Sequence, residues 1–329
     1  MHHSAANVAD PSRWTVVVPS FNHADDAITC LAALWEAGPR PGRVLLVDDA
    51  STENAVDLIA GWARKNDVPQ LVVDPTTLTR ENDQTPWLTI VASRVNGGFV
   101  ASCNIGLRYV RDHTNASHVL LLNNDTAVAP DYFGELADAV RLHPDVGLLT
   151  GSIYEWDRLT VWYAGASFNP LRAHATHNTG PIRHNAPQVT GYVCGCTMLI
   201  SRAVLEKVGI FAPAFSPGYA EDLDYSLRAR AAGFPIMYAP RAACYHRVGT
   251  SLGRRSEHSP RILYSINRNL GFTLRRNYRG WRLAGGIAYL AVTKPAKALL
   301  ELLRGRPRRA RAVLSGTITG MFSPAASGD

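Results

Sequence analysis

The stretch Trp14–Ser51 reads "WTVVVPSFNHADDAITCLAALWEAGPRPGRVLLVDDAS". Its first seven residues form a β-branched apolar run stopped near Pro19, the pattern of a buried strand. Asp25–Ala37 then carries apolar residues at helical spacing and stops at Gly38-Pro39. Arg43–Ser51 is a second apolar run, ending in acids. Continuing outward, Glu53–Lys65 repeats the helical spacing and Gln70–Asp74 is again strand-like. Alternation of β and α over seventy residues predicts a parallel sheet with helices on its faces.

Beyond this unit, Pro75–Leu88 reads as a loop, Asn96–Asp112 as a Gly-led turn into a helix, and His118–Thr126 as a strand ending in polar residues. Pro130 is expected at the first position of a helix running to about His143. Val146–Tyr154, 161–168 and 189–201 are β-like. A short helix ends at Gly209, and "FPIMYAP" (Phe234–Pro240) is expected as the last strand.

The 329 residues, 46% hydrophobic and 19% charged, support a sizeable core and argue against wholesale disorder. Five cysteines without C-x-x-C spacing suit neither a disulfide framework nor a zinc site, and fit a reducing cytosol. "MHHSAANVADPSRW" lacks a basic segment followed by an apolar one, so no secretory signal is expected. No apolar run reaches the ~18 residues of a spanning helix. The net charge of +7 is uneven: residues 261–313 hold 13 Lys or Arg and one Glu, leaving the rest at −5. Such a basic, helically spaced arm suggests an anionic membrane surface; the plainer alternative is docked helices with a solvated basic face.

Three strands end in polar groups: Pro19-Ser20-Phe21-Asn22, Asp48-Asp49, and Asn123-Asn124-Asp125. Singly, each reads as a cap or turn former. On parallel strands they would converge on one crevice at the carboxyl edge of the sheet, where open α/β sheets bind ligands. Neither G-x-G-x-x-G nor G-x-x-x-x-G-K-[ST] is present. Carboxylates repel a bare phosphate but bind a diphosphate through Mg²⁺ or Mn²⁺. A strand-end Asp can also accept the N3–H of a uracil or thymine. Farther on, "YAEDLDYS" crowds Glu221, Asp222 and Asp224. That is either an ordinary acidic helix start or a place where a carboxylate does chemistry.

Taken in order, "VVVPSFN", "LLVDDAS", "NGGFVASCNIGL", "LLLNNDT", "GCTMLISRAVLEKVGIF", "YAEDLDYSLRARAAGF" and "YHRVGTS" resemble glycosyltransferase family 2 over Trp14–Leu252, and are most similar to its rhamnosyltransferase-like bacterial members. The resemblance implies an α/β GT-A fold with a mostly parallel sheet, a nucleotide-diphosphate sugar donor, a divalent metal (Mg²⁺ or Mn²⁺) and inversion at the anomeric carbon. It places Pro19, Ser20, Asn22, Asp48, Asp49, Asn96, Gly98, Asn104, Asn123 and Asn124 around the nucleotide, with Asp49 reading the base. Asp125 and His246 fall at the metal, Asn123 standing where the first acid of a D-x-D would be. Asp222 falls at the base that deprotonates the acceptor, with Glu221 contacting the acceptor. Asp224 is left as helix-start electrostatics.

The expected organisation is a flexible start (1–13), a catalytic domain (14–255) with nucleotide-binding (14–126) and acceptor (127–255) halves, and a basic helical region (256–329). The donor implied is dTDP-rhamnose, with UDP-hexose or UDP-galactofuranose as alternatives. The acceptor implied is a lipid-linked or polysaccharide glycan of the cell envelope, which places the protein in the cytoplasm or on the inner face of the membrane; a soluble aglycone is the alternative. A nucleotidyltransferase would want a basic Gly-rich loop after the first strand, which "PSFNHADD" lacks. Nucleic-acid binding would account for the arm but not the acidic crevice, so no nucleic-acid partner is expected. An inactive nucleotide-sugar sensor would be expected to have lost Asp222 or Asp125, and both are present.

Overall fold

The computed structural model describes residues 8–247 and 259–323. In chain order the first elements are β1 (Trp14–Ser20), α1 (Ala24–Glu36), β2 (Arg43–Asp48), α2 (Ala55–Lys65), β3 (Gln70–Val73), β4 (Leu88–Ala92), α3 (Phe99–His113), β5 (His118–Leu122), β6 (Thr126–Val128) and α4 (Tyr132–Leu142). There follow β7 (Leu148–Glu155), β8 (Val161–Tyr163), β9 (Ala166–Asn169), β10 (His174–His177), β11 (Gln188–Val189), β12 (Thr197–Ser201), α5 (Arg202–Val208), α6 (Glu221–Ala231), β13 (Ile236–His246), and three C-terminal helices: α7 (Pro260–Asn277), α8 (Gly280–Leu303) and α9 (Pro307–Phe322).

The sheet runs in the order β11-β13-β7-β12-β5-β1-β2-β4-β3. β5, β1, β2, β4 and β3 are mutually parallel, so their carboxyl ends share one edge. The register pairs Ser20 with Asp48 across β1 and β2. β12 is antiparallel to β5 and brings its amino end, Thr197, beside Leu122.

One apolar layer packs under α1, α2 and α4 through Leu31, Leu34, Ile59, Tyr132 and Phe133. The other lies under α3, α5 and α6 through Cys103, Leu107, Leu205, Phe211 and Tyr225, and takes in Phe272 of α7. The first C-terminal helix thus shares the core of the sheet domain. The division expected near residue 255 lies outside the described residues.

Three local expectations are corrected. β4 occupies a stretch left without an element: "LTIVA" is a short β-branched run, buried over its first four residues between β2 and β3. α4 starts at Tyr132 with Asp131 as its cap, so Pro130 precedes the helix. β13 does not stop at Pro240 but passes through it to His246. Proline has no N–H for the ladder, and the register against β7 shifts between Ala239 and Ala243 to absorb it. Gly151 makes room for that bulge, since a Cβ there would lie 2.1 Å from Ala242 O.

Candidate active site

The loops after β1 and β2 are stitched together by side chains from the expected site. Asp48 accepts hydrogen bonds from the backbone N–H and hydroxyl of Ser51. Ser51 Oγ accepts from Asn22 N–H (2.7 Å), and Asn22 Oδ1 accepts from Thr52 N–H (2.8 Å). Asn22 adopts φ 55°, which its short polar side chain tolerates. Pro19 is buried in β1 and contributes wall rather than polar contact.

Asp49 is buried, and its two oxygens accept from the N–H groups of Gly97 and Gly98, each at 2.8 Å, at the start of α3. A carboxylate can accept about four hydrogen bonds, so capacity remains for a base N–H. Asn96 Nδ2 donates to Asp49 O. Gly98 (φ 82°) lies against Pro217, where a Cβ would come within 2.6 Å of the proline Cβ. Asn104, expected beside the nucleotide, instead faces Phe211: its Nδ2 donates to Phe211 O (2.9 Å) and its Oδ1 accepts from Phe211 N–H (3.0 Å). Both ends of that buried amide serve packing of α3.

After β5, Asn124 Nδ2 donates to Ser20 Oγ (3.3 Å) and the backbone N–H of Asn123 donates to Cys196 O (2.9 Å). The extension of β13 sets His246 opposite Thr126 of β6. Its Nε2 lies 3.2 Å from Asp125 Oδ1, both side chains being largely buried. Asn123 Oδ1 and His246 Nδ1 are buried without hydrogen-bond partners among the described residues. One carboxylate, one imidazole and one spare amide oxygen fit a divalent ion whose remaining positions are filled by diphosphate and water. The imidazole favours Mn²⁺ over Mg²⁺. No cluster of three or more His, Cys, Asp or Glu side chains suited to a metal occurs among the described residues, so the chain alone supplies an incomplete shell.

At the other side of the crevice, α6 begins after Tyr219 and Ala220, both in the left-handed region (φ 78° and 62°). Asp222 Oδ2 accepts from Gly195 N–H (2.9 Å) and Oδ1 from Leu223 N–H (2.7 Å). Glu221 is buried, and its Oε2 has no partner among the described residues. Both carboxylates face Gly195: a Cβ there would lie 3.7 Å from Glu221 Oε1 and from Asp222 Oδ2. Gly195 is one residue from Cys196, whose carbonyl holds Asn123, so a short backbone bridge joins the two acids to the carboxyl edge of β5.

Burial raises the pKa of both acids and outweighs the backbone N–H groups that would lower it. Glu221 is pushed up to about 8, first by burial and then by the charge of Asp222, against the N–H groups of Glu221 and Tyr219. Asp222 is also raised by burial, opposed by the amides of Gly195, Leu223 and its own residue. Near neutral pH Glu221 holds its proton, and the amides that bond Asp222 favour the charged form of that group. A folded-state pKa above the unfolded value means the native protein binds more protons, so this group's contribution to stability is lost as pH rises from about 4.5 to about 8. Glu221→Gln should remove that slope; thermal melts of both proteins across this window check it, and an equally steep decline in the variant would contradict it.

Asp224 is not merely helix-start charge. It is fully buried, accepting from Arg228 Nε (2.9 Å), Arg276 Nε (3.2 Å) and Asn277 Nδ2 (2.8 Å), the last two from α7. Asn269 of the same helix donates to Phe215, Gly218 and Tyr219 carbonyls, and Arg268 to Ser216 O. α7 therefore pins the loop that leads into the two acids. Sequence reading missed these four residues because their partners lie some fifty positions away. It also missed an aromatic wall: Trp162 meets His246 and His177 edge-on at centroid distances of 5.2 and 4.8 Å, and His177 in turn meets Tyr192. The concentration of His, Trp and Tyr over Trp162–Tyr192 was the available signal.

Comparison with known proteins agrees with this architecture. The mannosyltransferase of Pyrobaculum calidifontis, solved with GDP-Man and Mn²⁺, superposes with a TM-score of 0.55 at 18% identity over 94% of this chain and 87% of that one. S. aureus TarS 1–349 gives 0.54 at 16% identity over 94% and 93%. GalNAc-T7, solved with UDP, GalNAc and Mn²⁺, gives 0.59 at 12% identity over 79% and 47%. These likenesses establish the GT-A fold. In sequence, the low-salt glycan biosynthesis hexosyltransferase of Haloferax volcanii is 23% identical over 201 residues, 57% of this chain and 61% of that relative's length. The profile of the glycosyltransferase-like family 2 matches residues 11–264, and to that family the chain belongs.

Proposed function

We propose that this chain transfers a sugar from a nucleotide-diphosphate donor to a hydroxyl of a lipid-linked or polysaccharide glycan, with inversion at the anomeric carbon. The observation that carries the reading is the shared crevice. Asp49 and Asp125 follow the carboxyl ends of the parallel strands β2 and β5, His246 at the end of β13 lies 3.2 Å from Asp125, and Gly195, next to the Cys196 whose carbonyl holds Asn123, donates to Asp222 and lies against Glu221. The proposed donor is dTDP-rhamnose, on the wording and order of the motifs. The hexosyltransferase relative favours a UDP-hexose as the second reading.

In the proposed reaction Asp49 accepts the N3–H of the pyrimidine, and Ser20, Asn22 and Asn124 shape the pocket around it. Asn123, Asp125 and His246 would hold Mg²⁺ or Mn²⁺, which when bound neutralises diphosphate charge. Asp222, held by the amides of Gly195 and Leu223, takes the proton of the acceptor hydroxyl as that oxygen attacks the anomeric carbon from the face opposite the diphosphate. Glu221, protonated near neutral pH, donates a hydrogen bond to an acceptor oxygen. The fixed amides of Gly195 and Leu223 aim the Asp222 carboxylate without losing its charge to solvent.

Asp125→Ala should weaken donor binding in Mn²⁺ by on the order of 100-fold, the loss of a charged ligand. Calorimetric titration of both proteins with dTDP-rhamnose and UDP-hexoses measures this, and equal donor affinity would refute the metal assignment. Preference for one donor in the same titrations separates rhamnose from hexose.

A further inference from the structure

The second C-terminal helix carries an outward face with no charge on it. α8 is 24 residues long, about 36 Å at 1.5 Å per residue. It packs inward through Gly286, Leu290, Ala298 and Glu301. At about 100° per residue the opposite side presents Trp281, Ala288, Val292, Ala296, Leu299 and Leu303. Trp281 is 67%, Val292 72% and Leu303 77% exposed. Arg282, Lys294, Lys297 and Glu301 fall on the flanks or the inner side. An exposed apolar face of this length marks a contact surface.

The charges around it identify the occupant. Arg279 and Arg282 are exposed at its start, and Arg304, Arg306, Arg308 and Arg311 at and beyond its end. The one acid of residues 261–313, Glu301, is buried and ringed by Arg304, Arg306 and Arg309. A second copy of the same helix on this face would bring arginine clusters together, with Glu301 already held by its own arginines. No described helix is long and apolar enough to cross a membrane. An apolar stripe bounded by arginines, with Trp281 at one end and Tyr289 at its side, matches a helix lying in the headgroup layer of an anionic bilayer.

We propose that the outer face of α8 docks the protein flat on an anionic phospholipid surface. Because α7 both precedes α8 and pins the loop before Glu221, docking fixes the orientation of the crevice relative to the bilayer. The inference stands on the helix alone and does not depend on the sugar or the acceptor.

The test is sedimentation of the full chain with vesicles of phosphatidylcholine, with and without phosphatidylglycerol. The wild type should bind the anionic vesicles at least ~10-fold more tightly. The doubly substituted V292E/L299E variant should lose on the order of 100-fold, with an unchanged melting temperature because both sites are exposed. R308Q/R311Q, which leaves the apolar face intact, should lose about 10-fold or more. Absence of wild-type binding to anionic vesicles, or binding by either variant equal to that of the wild type, overturns the proposal. So does a wild-type dimer that V292E/L299E splits, since the face would then belong to a second copy.

Discussion

Asp222→Asn is expected to lower turnover by about 10²–10⁴-fold, the range of a positioned general base, while leaving donor affinity within about twofold. The two effects should separate because Asp222 is held by the amides of Gly195 and Leu223, whereas the proposed nucleotide contacts lie at Asn22 and Asp49. The substitution keeps shape, and its amide oxygen can still accept one of the two backbone hydrogen bonds, so the fold should persist. It removes the carboxylate that the amides of Gly195 and Leu223 hold in place. The charge of Asp222 also helps to raise Glu221, so the variant should lower the pKa of Glu221 and shift the alkaline limb of any residual activity to lower pH. Near-wild-type turnover in Asp222→Asn would remove it from the role of base.

Asp224→Ala is expected to have the largest effect on stability. A fully buried carboxylate that accepts from two arginines and an asparagine cannot be deleted quietly, because its removal strands Arg228 and Arg276 beside an apolar core. Breaking such a buried pair costs about 3–5 kcal/mol. For a chain of this size that is a melting-temperature loss on the order of 10 °C. Since Arg276 and Asn277 belong to α7, the same change should loosen the loop pinned by Asn269. Hydrogen exchange over residues 215–221 should therefore accelerate by more than at β1 or β5. A loss of stability under about 1 kcal/mol would show that the ion pairs contribute no more than surface ones do.

The parts of the molecule carried by local pattern were legible in the sequence. The β-α-β start, the polar ends of three strands and the acidic start of α6 are all consequences of spacing within one element, and they converge at one edge because the strands are parallel neighbours. The illegible parts depend on distant partners. β4 is five residues long and belongs to the sheet only because β2 and β3 leave a place between them. β13 runs through Pro240 because Gly151 on the adjacent strand leaves space for the bulge, and without that extension His246 would not reach Asp125. Asn104 and Asp224 look alike as polar residues near motifs, yet each is committed to a partner elsewhere, Phe211 in one case and α7 in the other. The raised pKa values of Glu221 and Asp222 also required structure, since burial is the first cause in both and the adjacent charge only adds to it in Glu221.

Sugar-nucleotide turnover tests the central claim most directly. Purified chain is incubated with dTDP-rhamnose, UDP-hexoses and UDP-galactofuranose in Mn²⁺, with a lipid-linked glycan extract as acceptor, and release of nucleoside diphosphate is followed for the wild type, Asp222→Asn and Asp125→Ala. A glycosyltransferase built on this crevice consumes one donor in an acceptor-dependent way, with both variants strongly impaired. Consumption of none of the donors, or equal rates in all three proteins, would contradict it.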